Sequence, residues 1–266
     1  MILPATTHTT GRPSEAQHWY TKDGKPAYEV QAANGTMRPT TLRDARKLGL
    51  LPSVTTIIRT AAAPGLERWK QEQVLLAALT LPAQASDETT AAYTARIIRD
   101  SQEQGKKAAE RGTAIHAAVQ GAYEGAQPSV EYTAHVTATM SKVKEVYGRT
   151  ARWQAESSFA HPSGFGGKVD LNCPGVVIDF KTKEFGADST KRLAWDEHRM
   201  QLAACRKGLG MPTAHCANVF ISVSEPGLVV VHVWPEDELQ EAWRMFAALL
   251  AYWQAKNSHN PTGETV

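Results

Sequence analysis

Three strand-like segments follow one another between residues 152 and 181, and they constrain the fold more than any other part of the chain. In residues 152–159, apolar and polar side chains alternate with the period of two that is typical of a half-buried strand. A glycine-rich bend leads to a second strand, 168–172, and a Pro-Gly turn leads to a third, 176–181. The third strand is apolar enough to lie at the centre of a sheet.

Helical and strand patterns surround this core. The sequence predicts a hairpin over residues 19–30, with its turn at Asp23-Gly24. Further predicted elements, in chain order, are helices from Pro64, over 86–123 and over 136–147, a helix over 193–207, strands over 217–223 and 228–234, and a long helix that begins after Pro235. We find no internal repeat and no linker, so one α/β domain with a helical N-terminal elaboration is expected.

The predicted domain boundaries follow from composition. Residues 1–17 are rich in small polar residues and are expected to form a disordered tail, and 257–266 a flexible one. The single domain is expected to span 18–256, with the hairpin and helical elaboration over 18–100 and the core over 101–256.

Charge and cysteine content exclude several classes of protein. The formal net charge is +2, which alone indicates little about a polyanionic partner. Cys173, Cys205 and Cys216 lack CxxC spacing, so neither an even disulfide framework nor a four-thiolate site of this chain alone is expected. There is no secretory signal and no apolar stretch long enough to span a membrane, so the sequence predicts a soluble, cytoplasmic protein.

Charged residues converge on the three core strands. Alternation places Asp170 on the face of its strand opposite Val169 and Leu171. In the next strand, alternation places Asp179 beside Lys181, with the apolar residues on the opposite face. If the strands pair in register, Asp170, Asp179 and Lys181 therefore share one sheet face.

Carboxylates grouped in this way are suited to binding a metal ion. Glu156, on the preceding strand, is expected to join Asp170 and Asp179. Carboxylates held close together repel one another unless a cation lies between them, and their hard oxygen atoms suit Mg²⁺ or Mn²⁺. A metal of this kind with a neighbouring lysine favours phosphodiester hydrolysis. An Asp-x-Lys tripeptide alone is common, and the surrounding motifs raise its significance.

The segments Gly-Phe-Gly-Gly-Lys-Val-Asp-Leu and Val-Ile-Asp-Phe-Lys-Thr-Lys resemble the core motifs of the PD-(D/E)XK nuclease superfamily. They are most similar to its RecB-like exonuclease branch, which includes phage-encoded members. Three other segments resemble motifs of that branch: Pro52–Ile57 with Leu66–Lys70, Arg111–His116, and the helix that carries Gln201. The resemblance covers about residues 50–255 and implies a restriction-endonuclease-like α/β core, with a central mixed β-sheet flanked by helices.

The resemblance also implies residue roles. Asp170 and Asp179 would bind the metal, Mg²⁺ or Mn²⁺, together with the Phe180 carbonyl and His116. Lys181 would be the catalytic lysine. Gln201 would support the metal site or bind DNA, and Glu156 is a further catalytic candidate. Basic residues expected to contact DNA are Arg68, Lys106, Lys107, Arg111, Lys183 and Arg192.

The chain departs from the family pattern at three points. The helix motif of the branch ends in a tyrosine four residues after its glutamine, and here Cys205 stands at that position. Lys168 occupies a place in the glycine-rich entry where a small or β-branched residue is usual. Some relatives hold an iron–sulfur cluster with four cysteines, and since this chain has three, no such cluster is expected.

Other functions can be weighed against the motifs of the sequence. A P-loop is rejected because Pro162 replaces its first glycine and Val169 its Ser or Thr. A catalytically inactive DNA-binding module and a sequence-specific endonuclease remain alternatives on the same fold. The sequence favours a metal-dependent exonuclease acting on single strands or duplex ends, in phage or phage-derived recombination or replication. A single-strand annealing protein is a plausible partner.

Overall fold

The computed structural model describes residues 18–62, 64–148, 150–190 and 192–263, so the predicted tail at 1–17 lies outside it. Its centre is a five-stranded sheet in the order β5-β6-β7-β8-β9, in which β7 and β8 are parallel and the other neighbours antiparallel. These strands are β5 Gln154–His161, β6 Phe165–Cys173, β7 Val176–Lys183, β8 His215–Ser222 and β9 Val229–Trp234. The predicted mixed α/β architecture is thereby confirmed.

Helices cover both faces of the sheet. Over the described part of the chain the α-helices are α1 Leu42–Leu48, α2 Val54–Ile58, α3 Pro64–Thr80, α4 Thr90–Tyr123, α5 Thr133–Tyr147, α6 Asp196–Gly208 and α7 Glu236–Lys256. One apolar core lies between the sheet and α2, α6 and α7, and it includes Val177, Phe220 and Phe246. A second core lies between the opposite face and α4 and α5, and it includes Ile115 and Ile178. Burying both faces suits the near-continuous apolar runs of β7 and β8.

The N-terminal strands form the predicted hairpin only in part. The turn at Asp23-Gly24 forms, with Gly24 at a φ of +82°. However, β1 (Trp19–Tyr20) pairs with β4 (Leu51–Pro52), whereas β2 (Glu29–Gln31) pairs with β3 (Met37–Pro39). Beside the turn, β1 also makes the predicted hairpin contacts: Tyr20 forms an antiparallel bridge with Pro26, and the Ala27 amide donates to the Trp19 carbonyl at 2.8 Å. The additional pairing of β1 with β4 accompanies the burial of the Trp19 ring in the main core, where its indole N–H donates to the Thr40 carbonyl.

The last described residues pack against the same region. His259 is buried, its Nε2 lies 2.7 Å from the Leu50 carbonyl oxygen, and its ring contacts those of Trp19 and Trp253. This part of the segment predicted to be a flexible tail is therefore held by the domain.

Helix α4 is a single helix that links the N-terminal elaboration to the sheet. It begins after the N-cap Thr89, whose side chain accepts from the Ala92 amide, and it continues through Gly105 and Gly112. Gly112 packs against β7 so closely that an added Cβ would lie 2.5 Å from Oγ1 of Thr182. A glycine at this position lets the helix approach the strand that carries the predicted catalytic residues.

Strand β5 contains a break in its alternation, at Glu156. This residue has a φ of +56°, a left-handed conformation that is unfavourable for a side chain with a Cβ. The ladder with β6 passes from the pair Ala155–Leu171 to Ser157–Val169 and pairs no residue with Glu156. Across this break, Val169 and Leu171 of β6 pack in different cores on opposite faces of the sheet. The prediction that they share a face is wrong because it assumed unbroken alternation.

Candidate active site

Strands β6 and β7 diverge where Asp170 lies. Their pairing includes only Leu171–Ile178 and the two pairs nearer the turn. Beyond that point the carboxylate Oδ2 of Asp170 accepts a hydrogen bond of 2.8 Å from the backbone N–H of Phe180. The side chain thus satisfies an amide that the opened ladder leaves without a strand partner, and it fixes Asp170 beside β7.

Both oxygens of Asp179 are held by side chains. Its Oδ1 accepts from Lys181 Nζ at 2.6 Å and from Gln201 Nε2 at 2.7 Å. Its Oδ2 accepts from Asn218 Nδ2 at 2.7 Å. Gln201 also accepts from Lys181 Nζ at 3.1 Å through its Oε1, so these three groups form a closed triangle. The structure therefore brings together three of the predicted residues in direct contact: Asp179, Lys181 and Gln201.

Asn218 and Trp234 extend this network, and sequence reasoning missed both. Asn218 is fully buried in β8, where its Oδ1 accepts from Trp234 Nε1 at 2.7 Å. Since one end of the amide must accept from the indole, the other end must donate to Asp179. The available signal was a single amide inside the apolar run of β8, next to the strand that carries Asp179.

His116 reaches the site from α4. Its Nε2 lies 3.3 Å from Oδ1 of Asp170, and its ring packs edge-on against Phe180. Burial opposes the charged imidazole, but the hydrogen bond to Asp170 and the negative charges of Asp170 and Asp179 prevail and raise the pKa of His116. The helix therefore supplies a donor to the carboxylate that caps Phe180.

The two aspartates differ in their electrostatic environments. Burial opposes ionisation of Asp170, yet His116, Lys181 and the Phe180 amide together lower its pKa below the ordinary value. For Asp179, burial is the largest influence and the charge of Asp170 adds to it, so the pKa of Asp179 is raised despite the contact with Lys181. Although burial disfavours the ammonium, the two carboxylates raise the pKa of Lys181. The site thus combines one lysine ammonium with two neighbouring carboxyl groups.

The donor set fits a divalent metal by its chemistry. Asp170 and Asp179 offer the carboxylate oxygens that Mg²⁺ and Mn²⁺ prefer, and His116 offers an imidazole nitrogen, which suits Mn²⁺ better than Mg²⁺. Across the described ranges, no three His, Cys, Asp or Glu side chains converge as a ready-made metal site. The carboxylates are instead satisfied by Lys181, Gln201, Asn218 and the Phe180 amide.

Glu156 is oriented towards β6. Its carboxylate forms an ion pair with the ammonium of Lys168. Cys205, at the position where the branch has tyrosine, is buried on α6, and burial together with the aspartates raises the pKa of its thiol well above the usual value.

The predicted DNA-binding residues lie in two regions. Along α3 and α4, four of them are exposed on the helical elaboration or at its junction with the sheet: Arg68, Lys106, Lys107 and Arg111. Lys183 and Arg192 lie near the C-terminal end of β7. The ammonium of Lys183 donates to the Leu193 carbonyl and lies over the Phe220 ring, and burial lowers the pKa of Lys183 to about 8. The guanidinium of Arg192 stacks on Trp195, which is partly exposed.

Comparisons with known proteins give distant structural similarities only. No family model matches the chain, and no curated protein matches it. One match is a crystal structure of a candidate exonuclease from Eubacterium rectale, at 14% identity and a TM-score of 0.40. The match covers 56% of this chain and 68% of the Eubacterium rectale chain. The crystal structure of SSO0001 covers 42% of this chain and 56% of its own, at 17% identity and a TM-score of 0.26. Among the described helices, none has the length and apolar character needed to cross a membrane.

Proposed function

We propose that this chain is a metal-dependent DNA exonuclease of the PD-(D/E)XK superfamily, in its RecB-like branch, and that it acts in phage or phage-derived recombination or replication. One observation carries the proposal: Asp170 is bound to the Phe180 amide where β6 and β7 diverge, next to the triangle of Asp179, Lys181 and Gln201. Burying two carboxylates and a lysine together is costly unless the group has a use or full pairing. Phosphodiester hydrolysis is the use that this set of side chains fits best.

In this proposal, Asp170 and Asp179 hold Mg²⁺ or Mn²⁺, aided by His116 and the Phe180 carbonyl. The metal would polarise the scissile phosphate and lower the pKa of a bound water. Asn218 keeps Oδ2 of Asp179 in place, and Gln201 aligns Lys181 with Oδ1. Iron–sulfur chemistry has no part in the proposal.

Lys181 is the residue proposed to act on the reacting groups. Its ammonium lies 2.6 Å from Asp179 and 3.1 Å from the amide oxygen of Gln201, which restricts its position to the rim of the carboxylate pair. A fixed cation at that point can orient the attacking water or stabilise the charge that develops on the phosphate oxygens. The raised pKa of Lys181 keeps that cation protonated at neutral pH.

The helical elaboration supports a preference for free DNA ends. Helices α3 and α4 pack together as an arm, and the same α4 brings His116 to Asp170. On this arm Trp69 lies against Gly105 with its ring partly exposed, and Arg68 is exposed nearby. An aromatic ring with nearby cations is a platform on which single-stranded bases can stack.

A substrate panel tests this function. Purified protein is incubated with end-labelled single-stranded DNA, end-labelled duplex and a covalently closed circle, each with Mg²⁺, Mn²⁺ or EDTA. We expect loss of linear DNA with metal, none with EDTA, and an intact circle. Fragmentation of the circle would instead identify an endonuclease. Intact DNA in every reaction, with DNA bound, would identify a binding module.

A further inference from the structure

The ion pair between Lys168 and Glu156 lies beside the candidate active site and is not needed for its internal hydrogen bonds. Lys168 stands two residues before Asp170 in β6, about 6.6 Å along the strand, which is on the scale of one nucleotide of backbone. The two side chains remain 34% and 23% exposed, so a ligand in solvent can reach them. The pair is thus a contact between opposite charges at the rim of a site proposed to bind a polyanion.

Glu156 makes this contact from a strained backbone. With Ser258, it is one of two non-glycine residues with positive φ in the described part of the chain. A non-glycine residue in this conformation is unfavourable and persists where the surroundings require it, often at functional sites. The strained residue lies between the pairs Ala155–Leu171 and Ser157–Val169, where the ladder with β6 is interrupted.

Charges of both signs act around Lys168. Burial lowers the pKa of Lys168, and the carboxylates of Asp170 and Glu124 act against that lowering. Among the described residues, the Glu156 carboxylate is the one anion that contacts the Lys168 ammonium.

We propose that Lys168 binds a backbone phosphate of the DNA strand next to the scissile phosphate, and that Glu156 occupies this position until the strand replaces it. The inference rests on the proposed function, since it names how the same site holds its substrate. Because both side chains of the pair are partly exposed to solvent, water and salt weaken their attraction, and a phosphate can replace the carboxylate. A phosphate-binding role also accounts for Lys168 at a position where the family pattern has a small or β-branched residue.

Equilibrium binding without cleavage tests this inference. Fluorescence anisotropy of a labelled oligothymidylate is measured in EDTA over a range of salt concentrations. Lys168→Gln should weaken binding about five-fold or more and reduce the slope of log K against log salt by about 0.7, the contribution of one phosphate contact in a single strand. Glu156→Gln should tighten binding several-fold because it frees Lys168. The double variant should bind like Lys168→Gln alone.

The matched control is the Lys142–Glu145 pair on α5, which has the same charges on an exposed helix surface. Lys142→Gln and Glu145→Gln should leave both affinity and salt slope unchanged. Wild-type affinity and slope in Lys168→Gln, or weaker binding by Glu156→Gln, would overturn the inference while leaving the proposed function intact. No DNA binding by the wild-type protein would overturn both.

Discussion

Asn218 donates a hydrogen bond of 2.7 Å from Nδ2 to Oδ2 of Asp179 in the interior of the sheet. The opposite end of the same amide accepts from the indole of Trp234, so the orientation of Asn218 is determined by a group outside the site. A carboxylate held in this way keeps its position whether or not Lys181 stays in contact with it. The chain from Trp234 to Asp179 is therefore a support for the proposed metal ligand.

Replacing Asn218 by Ala should reduce the single-turnover cleavage rate or the metal affinity by about 10–100-fold, the range typical of partners that orient a metal ligand. The reason is that Oδ2 of Asp179 loses its donor and the carboxylate can rotate. Cleavage is measured over a Mg²⁺ titration. Trp234→Phe, which keeps the ring but removes the indole N–H, should have a smaller effect in the same direction. Wild-type metal dependence in Asn218→Ala would show that Asn218 is only a packing residue.

At position 156, the usual stability order of alanine over glycine in a strand should be reversed. Glycine in a strand interior is ordinarily less stable than alanine by about 0.5–1 kcal/mol. At Glu156 the φ of +56° penalises any residue with a Cβ by roughly 1–2 kcal/mol, so Glu156→Gly should be more stable than Glu156→Ala. Both variants lose the contact with Lys168, which makes them a matched pair. Urea unfolding midpoints decide the order, and a more stable alanine variant would contradict the left-handed conformation.

The close approach of α4 to β7 predicts a coupling between Gly112 and Thr182. Alanine normally favours a helix interior by about 1 kcal/mol over glycine. At Gly112, however, the new Cβ would lie 2.5 Å from Oγ1 of Thr182, so Gly112→Ala should destabilise the fold and move His116 away from Asp170. Thr182→Ala removes that hydroxyl, and Gly112→Ala should then be neutral or stabilising. Additive effects of the two changes in denaturant unfolding would argue against this contact.

His198 predicts a loss of stability in acid. Its Nδ1 accepts from the Trp195 amide, and burial, followed by the charges of Lys183 and Lys181, lowers the pKa of His198 from 6.5 to about 2. Between these values the unfolded chain binds a proton that the folded chain does not. Stability from this residue is therefore present above about pH 6.5 and is lost as the pH falls below it, by at most about 1.4 kcal/mol per pH unit.

His198→Asn tests this dependence because its amide oxygen can accept from Trp195 but does not titrate. The free energy of unfolding of the variant should fall less steeply than that of the wild type between about pH 6.5 and pH 4. Parallel curves for the two proteins would mean that His198 accepts a proton in the folded state.

The core strands were predictable because their patterns are local. The alternation in β5, the Pro-Gly turn and the apolar run of β7 required no knowledge of the rest of the chain, and they placed Asp179 beside Lys181. Trp19 was not predictable in the same way, since it is buried among residues distant in sequence, where β1 also pairs with β4. Glu156 also escaped prediction because nothing in a glutamate indicates a left-handed backbone. The support from Asn218 depends on the pairing of β7 with β8, which a single sequence does not specify.

The effect of a single substitution at Asp179 on the rate of DNA cleavage tests the central claim most directly. Single-turnover loss of end-labelled linear DNA is followed for the wild type with Mg²⁺, the wild type with EDTA, and Asp179→Asn with Mg²⁺, after anisotropy has shown that both proteins bind the DNA. The neutral amide keeps the shape of the side chain but weakens it as a metal ligand and removes the charge that holds Lys181. We predict metal-dependent degradation by the wild type and a loss of about a thousand-fold or more in Asp179→Asn. Degradation by Asp179→Asn at the wild-type rate, or in EDTA, would contradict a metal-dependent site at Asp179.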